Sequence, residues 1–190
     1  MKREFLRLTL SLTVITLSVA LLLGAANAIT AEPIARRTAE TREAAMRLVL
    51  PEADTFTKVE NTPAVVENTS AAVNAVYTAA SGGTACGWVV ETTVSGFGGA
   101  IGVTVGVHTD GTVAGIEITS HSETPGLGAR STEDWFTAQF AGLSSGITVS
   151  KVGASGNQID AISGATVTSK AITGAVNTAL SAITEMGGIS

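Results

Sequence analysis

Only one cysteine, Cys86, stands in this chain of 190 residues. That count excludes an intrachain disulfide, a CxxC redox pair and a thiolate-held iron–sulfur cluster. Cys86 is expected instead to pack as a small buried apolar residue beside Trp88. No lipobox cysteine follows the apolar N-terminal run, which disfavours a lipid anchor there. Basic residues are scarce beyond Val59. Lys2, Arg3, Arg7, Arg36, Arg37, Arg42, Arg47 and Lys58 precede it, and only Arg130, Lys151 and Lys170 follow, against acids such as Glu91, Asp110, Glu117, Glu123, Asp134 and Asp160. The net charge is −5, and an acidic C-terminal domain repels phosphate backbones, so nucleic acid is not an expected partner. His108, His121 and Glu123 lack any metal-ligand spacing, so no metal site is assigned, and His108 reads as plain surface at a strand end. His121, Ser122 and Glu123 are triad residue types, but sequence neighbours rarely point at one another as a triad requires, and no Gly-x-Ser-x-Gly elbow exists. No strand–Gly-x-Gly-x-x-Gly–helix unit opens the chain, which argues against a Rossmann fold. Gly96-Phe97-Gly98-Gly99 reads as a strand break, and no internal repeat is visible.

What the chain does have begins with a long apolar run. Leu8 to Ile29 carries no charge, and about 22 residues at 1.5 Å each cover a hydrocarbon core of about 30 Å. Lys2, Arg3 and Arg7 precede the run, so the positive-inside rule places the N-terminus in the cytoplasm and everything beyond Ile29 outside, although Arg36 and Arg37 on the far side weaken the bias. Ala26-Asn27-Ala28 resembles a signal-peptidase site. The run exceeds the usual h-region, which favours an uncleaved anchor. Both readings put the following domain outside the cytoplasm, and the uncleaved anchor holds it at the cell (inner) membrane.

Past the run, Thr30 to Leu50 reads as a helical stalk that continues or abuts the membrane helix. Pro33 suits its first turn and Pro51 stops it. Val65 to Gly98 is strand-rich, with candidate strands at Ala72–Tyr77 and Cys86–Val94 about the turn Ser81-Gly82-Gly83-Thr84. Thr109-Asp110-Gly111 joins strands Ile101–His108 and Thr112–Thr119 in a hairpin. A helix is expected from Thr132 to about Phe140, acidic in its first turn, with Trp135, Phe136 and Phe140 as core. Ile147–Val152 reads as a strand. Thr168–Glu185 reads as a helix, with Ala171, Ile172, Ala175, Val176, Ala179, Leu180 and Ile183 at helical spacing. These elements predict an α+β fold, a mostly antiparallel twisted sheet with helices packed on it. The domains are 1–29, cytoplasmic tip and membrane helix; 30–58, stalk; and 59–190, the folded domain.

The chemistry concentrates between the last strand and the last helix, in Asp160-Ala161-Ile162-Ser163-Gly164-Ala165-Thr166-Val167-Thr168-Ser169. Small residues let a ligand approach the backbone. The free N–H groups and dipole of a helix start favour a phosphate, and the hydroxyls can cap the helix or bind phosphate oxygens. From the residues alone, a plain helix cap in a small-residue turn stands beside a phosphate cradle holding a nucleophile-capable threonine.

Asp160-x-x-Ser163-Gly164-Ala165-Thr166 resembles the flavinylation motif of the FMN-binding domain family. His121-Ser122-Glu123-Thr124-Pro125-Gly126-Leu127-Gly128 resembles that family's Glu-Thr-Pro-Gly-Leu-Gly loop, in the family's order along the chain. Ile34-Ala35 and Val49-Leu50-Pro51 are similar to its stalk. The family includes the G subunits of the Rnf electron-transport complex and the related C subunits of the sodium-pumping NADH:quinone reductase. The resemblance implies FMN joined covalently, through a phosphoester, to Thr166 by a flavin transferase. It implies Asp160 at the motif start, Ser163, Gly164, Ala165, Val167 and Thr168 around the phosphate, and Glu123, Thr124 and Leu127 against the flavin or shaping its pocket. The implied function is an electron relay, with no catalytic acid or base of its own, among the other membrane subunits of an ion-translocating ferredoxin:NAD oxidoreductase. The alternatives are a stand-alone membrane-tethered FMN carrier and a C-type component of the quinone reductase.

Overall fold

The computed structural model describes residues 2–60 and 71–189. Residues 65–70, the start of the expected strand-rich stretch, lie outside the described residues. The chain divides into two compact units, Met1–Arg42 and Glu43–Ser190.

Helix α1 runs from Lys2 to Val49. Between Leu12 and Val49 it contains a stretch long and apolar enough to cross a membrane, and Leu12, Ile15, Leu17, Leu21, Leu22 and Leu23 are all exposed. The hydroxyls in this run turn inward on the helix. Thr13 donates to the Thr9 carbonyl at 2.8 Å, Ser18 to Val14 at 2.8 Å and Thr30 to Ala26 at 2.8 Å. Such back-bonding satisfies a hydroxyl where no water reaches it. The stalk continues the membrane helix and does not merely abut it: the helix passes through Pro33 without interruption. Proline there removes one bond, to the Ile29 carbonyl, and the loss falls just past the apolar run, where the carbonyl can be hydrated. The helix ends at Val49, before Pro51, as expected.

The second unit is an antiparallel meander of five strands in chain order: β1 (Thr55–Lys58), β2 (Ala71–Ser81), β3 (Thr84–Ser95), β4 (Ala100–His108) and β5 (Val113–Ser120). Gly82 and Gly83 turn β2 into β3. Asp110 builds the β4–β5 hairpin by accepting from the Thr112 N–H at 2.9 Å and the Thr112 hydroxyl at 2.6 Å. A small parallel pair follows, β6 (Thr148–Ser150) with β7 (Gln158–Asp160). The chain then enters helix α3 (Thr166–Glu185). The α+β, mostly antiparallel architecture is as expected. β1 and β7 are additions to the expected strands, one exposed and the other only three residues long, too short to show a period.

Both faces of the sheet are covered. On one, Ile172, Val176, Ala179, Leu180 and Ile183 of α3 join Val76, Val90, Val103, Val105 and Ile116. On the other, Met46, Val49 and Leu50 from the end of α1 meet Ala75, Tyr77, Ala79 and Val89. β4, flanked by β3 and β5, is therefore buried along almost its whole length. A Cβ at Gly106 would fall onto the Val49 carbonyl oxygen, so bare backbone there lets the last turn of α1 lie directly on the sheet. Cys86 is half-buried against the α1-side cluster, and burial pushes its thiol up from the usual range.

The expected helix from Thr132 to Phe140 is in pieces: a 3₁₀ turn (Gly128–Thr132), a single helical turn α2 (Asp134–Thr137) and a second 3₁₀ turn (Ala138–Phe140). The break is at Glu133, whose backbone is extended. Phe136 and Phe140 are fully buried, edge to face at 5.6 Å. Trp135 departs from the expected core role. It is 42% exposed, lies under the Arg130 guanidinium at 5.2 Å and donates its indole N–H to Glu133. The extended residue at 133 turns it outward, where a cation–π contact replaces burial.

Glu117, half-buried on β5, has its carboxyl held above the usual range by loss of hydration and then by Asp134. The folded protein thus binds this proton more tightly than the unfolded chain, and stability is lost as pH rises from the ordinary Glu value through the raised one. Glu117→Gln removes that loss. Its stability advantage over the parent, read from denaturant melts, should grow from acid to neutral pH; an advantage independent of pH would refute the assignment.

Candidate functional site

An open pocket of about 370 Å³ lies at the N-terminal end of α3, lined by Phe97, Glu123, Thr124, Leu127, Gly128, Gly164, Ala165, Thr166, Val167 and Thr168. Three chain segments meet there: the β3–β4 turn, the loop after β5 and the turn into α3. Thr166 is the first residue of α3, two residues earlier than the spacing suggested. Ala165 takes the N-cap position without a side-chain cap bond. The first N–H groups of a helix have no partner within it, and the helix dipole adds partial positive charge, so this end of the pocket suits an anion. Thr166 is half-buried and lines this end of the pocket.

The turn leading to Thr166 is fixed from behind. The buried Ser169 hydroxyl accepts the Ile162 N–H at 2.9 Å and donates to the Ala165 carbonyl at 3.1 Å. The Ala165 N–H also returns to the Ile162 carbonyl at 2.9 Å. Gly164 holds a positive φ of 77°, a conformation that favours glycine, and a Cβ there would stand 3.0 Å from Leu127 Cδ2. Asp160 and Ser163 do not line the pocket. The Asp160 backbone is held by Gln139, whose Oε1 accepts its N–H at 2.7 Å and whose Nε2 donates to its carbonyl at 3.5 Å. Ser163 is exposed on the outer side of the turn.

The opposite wall is the loop after β5. Glu123 is only 6% exposed. Its Oε1 accepts the Gly98 N–H at 2.9 Å and its Oε2 accepts the Thr168 hydroxyl at 2.8 Å. Thr168 is likewise buried, so these two expected site residues meet each other on the pocket floor. The rim is apolar and open. Phe97 is 77% exposed, Val167 55% and Leu127 43%, a cluster of exposed large apolar side chains around one cavity. Thr166, Gly164, Ala165, Val167, Thr168, Glu123, Thr124 and Leu127 thus line one pocket.

Phe97, Gly128, Ser169 and Gln139 are the residues that sequence reasoning passed over. An aromatic set among glycines, with no core periodicity to account for it, was the available sign for Phe97. Gln139 and Gly128 meet residues far away in sequence, which leaves no local mark, and Ser169 acts within its own turn through a hydroxyl bond that spacing does not reveal. His108 pairs with Glu52 at 3.0 Å. It stands at the far end of β4 from the Gly96–Gly99 turn, roughly 26 Å away at 3.3 Å per residue, so it cannot share a site with Glu123. No group of His, Cys, Asp and Glu suited to a metal gathers among the described residues.

Residues 96–181 match the FMN-binding domain family. The chain is 33% identical over 182 residues, 95% of its length and 92% of the relative's, to the G subunit of the proton-translocating ferredoxin:NAD(+) oxidoreductase complex of Clostridium ljungdahlii. It is 35% identical over 184 residues, 90% of this chain and 87% of the other, to the G subunit of the Na(+)-translocating ferredoxin:NAD(+) oxidoreductase complex of Acetobacterium woodii. It is 38% identical over 171 residues, 85% and 76% respectively, to the G subunit of an ion-translocating oxidoreductase complex of Cereibacter sphaeroides. Among solved structures, the C subunit of the Na(+)-translocating NADH-quinone reductase of Parabacteroides distasonis is similar, with a TM-score of 0.51 and 27% identity across 58% of this chain and 61% of that one.

Ser169→Ala leaves the buried Ile162 N–H without its acceptor. A loss of about 1–3 kcal/mol of stability is expected from such an orphaned group, measured by denaturant unfolding. A change within a few tenths of a kcal/mol would show that the turn does not depend on this hydroxyl.

Proposed function

This chain belongs to the family of ion-translocating oxidoreductase complex G subunits, and from that premise we propose that it relays electrons within such a complex through an FMN joined to Thr166. The observation that carries this reading is the pocket at the start of α3, which unites the two chemistries an FMN requires. Its floor offers helix N–H groups and the Thr166 hydroxyl for a phosphate. Its rim offers Phe97, Leu127 and Val167 for a planar apolar ring. When bound, the flavin supplies the electron-transfer chemistry, and the protein supplies attachment, orientation and surroundings.

In this reading the Thr166 Oγ1 loses its proton and attacks the flavin-side phosphorus of a flavin dinucleotide, the diphosphate bond breaks and the nucleoside monophosphate leaves, a transfer made by a flavin transferase acting on the exposed turn. Ser169 and Gln139 keep that turn shaped before the flavin arrives. Gly164 leaves room for close backbone approach, and Val167 and Leu127 face the ring. Asp160 and Ser163, off the pocket but on the exposed approach to Thr166, are placed for the transferase rather than the flavin. No residue has to move a proton for the relay itself. A covalent link suits a domain outside the cytoplasm, where a released cofactor would be lost.

Thr166→Ala should abolish the flavin fluorescence that otherwise stays with the polypeptide through denaturing electrophoresis. Fluorescence persisting in that variant would place the attachment elsewhere.

The rest of the assembly reading concerns the membrane. We place the N-terminus of α1 in the cytoplasm and the FMN domain on the extracytoplasmic face of the cell (inner) membrane, because Lys2, Arg3 and Arg7 precede the apolar run. The partners are the membrane subunits of the complex. A reporter active only outside the cytoplasm, fused after Ser190, should be active, and one active only inside should be silent. The reverse pattern would invert the topology. Detergent purification that recovers this chain without multispan subunits would favour the stand-alone carrier instead.

A further inference from the structure

Glu123 is the one charged side chain buried among the described residues, and no part of the relay described above needs its charge. A buried carboxylate is costly unless strong donors satisfy it. Here the donors come from two distant segments, the Gly98 N–H at 2.9 Å and the Thr168 hydroxyl at 2.8 Å. Bare backbone closes around it. A Cβ at Gly96 would fall onto Oε1 and one at Gly128 onto Oε2. Its own N–H donates to His121 Nδ1 at 3.3 Å, which steadies the loop it sits on.

The consequence falls on Phe97. This residue lies between Gly96 and Gly98, in a turn closed by the Gly96 N–H to the Gly99 carbonyl at 2.7 Å. Glycine on both sides gives the turn wide conformational freedom, and Phe97, 77% exposed, has little packing of its own to fix it. The anchor one residue away is the Glu123 bond to Gly98. The other carboxylate oxygen is bound to the first turn of α3, two residues from Thr166.

We propose that Glu123 is a positioning residue: it fastens the Gly96–Gly99 turn to the first turn of α3 and so holds the Phe97 ring at the pocket mouth, against the flavin ring. The contact to the ring rests on the FMN reading above, whereas the fastening does not. A carboxylate is the suitable fastener because both partners are donors and it accepts from both without donating.

Two measurements on the full chain in detergent test this. In a Thr166→Ala background, without attached flavin, Glu123→Ala should speed amide exchange at Gly98 roughly tenfold or more, the loss expected when a charge-assisted bond is removed. In the flavin-bearing protein, quenching of flavin fluorescence by iodide, read per attached flavin, should rise in Phe97→Ala. It should rise to the same level in Glu123→Ala and no further in the double variant. Thr168→Val, which removes one arm of the fastening and keeps the side-chain shape, should shift both readouts in the same direction, and it decides the matter if Glu123→Ala does not fold. Unchanged exchange at Gly98 would overturn the fastening. Quenching indifferent to Phe97→Ala, or additive in the double variant, would overturn the hold on the ring. Absence of covalent flavin from the parent chain would overturn the attachment reading and the ring contact with it, leaving the exchange measurement to decide the fastening.

Discussion

The apolar face of α3 lies on the sheet through Ile172, Val176, Leu180 and Ile183, each fully buried, and the rest of the site depends on that contact. A helix packed this way cannot slide or roll without opening the core. Its first turn is therefore as well placed as the core itself, although it opens onto solvent. Thr166, Val167 and Thr168 inherit their positions from burial several turns away. The second face of the sheet, closed by Met46, Val49 and Leu50, keeps the platform beneath α3 from being a one-sided sheet.

On that platform the pocket is made mostly by backbone. Glycines at 96, 98, 128 and 164 stand where a side chain would collide with the Glu123 carboxylate, the Ser122 carbonyl or Leu127. Three segments far apart in sequence are thereby drawn around one buried acid. The side chains left on the rim, Phe97, Leu127 and Val167, are large, apolar and exposed, a combination that stability alone does not favour. An exposed apolar rim over a polar floor suits a ligand that carries both an anion and an aromatic ring.

Much of this was legible in the sequence because it rests on local rules. The Asp110-Gly111 hairpin, the helical spacing from Ala171 to Ile183 and the apolar run before Ile29 each follow from a period or a turn that a short window contains. Of the two motif segments, Gly164, Ala165 and Thr166 on one side and Glu123, Thr124, Leu127 and Gly128 on the other line one pocket, whereas Asp160 and Ser163 stand off it. Where local reading fell short, a longer-range contact had intervened. Trp135 left the core because Glu133 is extended and Arg130 is near. The outward step of β2 after Val73 comes from a bulge at Asn74, which breaks the alternation that would have revealed both of its faces. β7 is recognisable only through its pairing with β6.

The sequence by itself determined the membrane-length helix, the antiparallel α+β class and the existence of the last helix, because hydrophobic period, turn chemistry and spacing are properties of neighbouring residues. Only the tertiary structure decided that Phe97 stands at the pocket and that Asp160 stands back from it under Gln139. Only the tertiary structure decided, too, that both oxygens of Glu123 are occupied within the protein. Those facts depend on which backbone donors from separate segments converge on one buried acceptor, and no stretch of sequence encodes that convergence until the sheet has placed its turns beside α3.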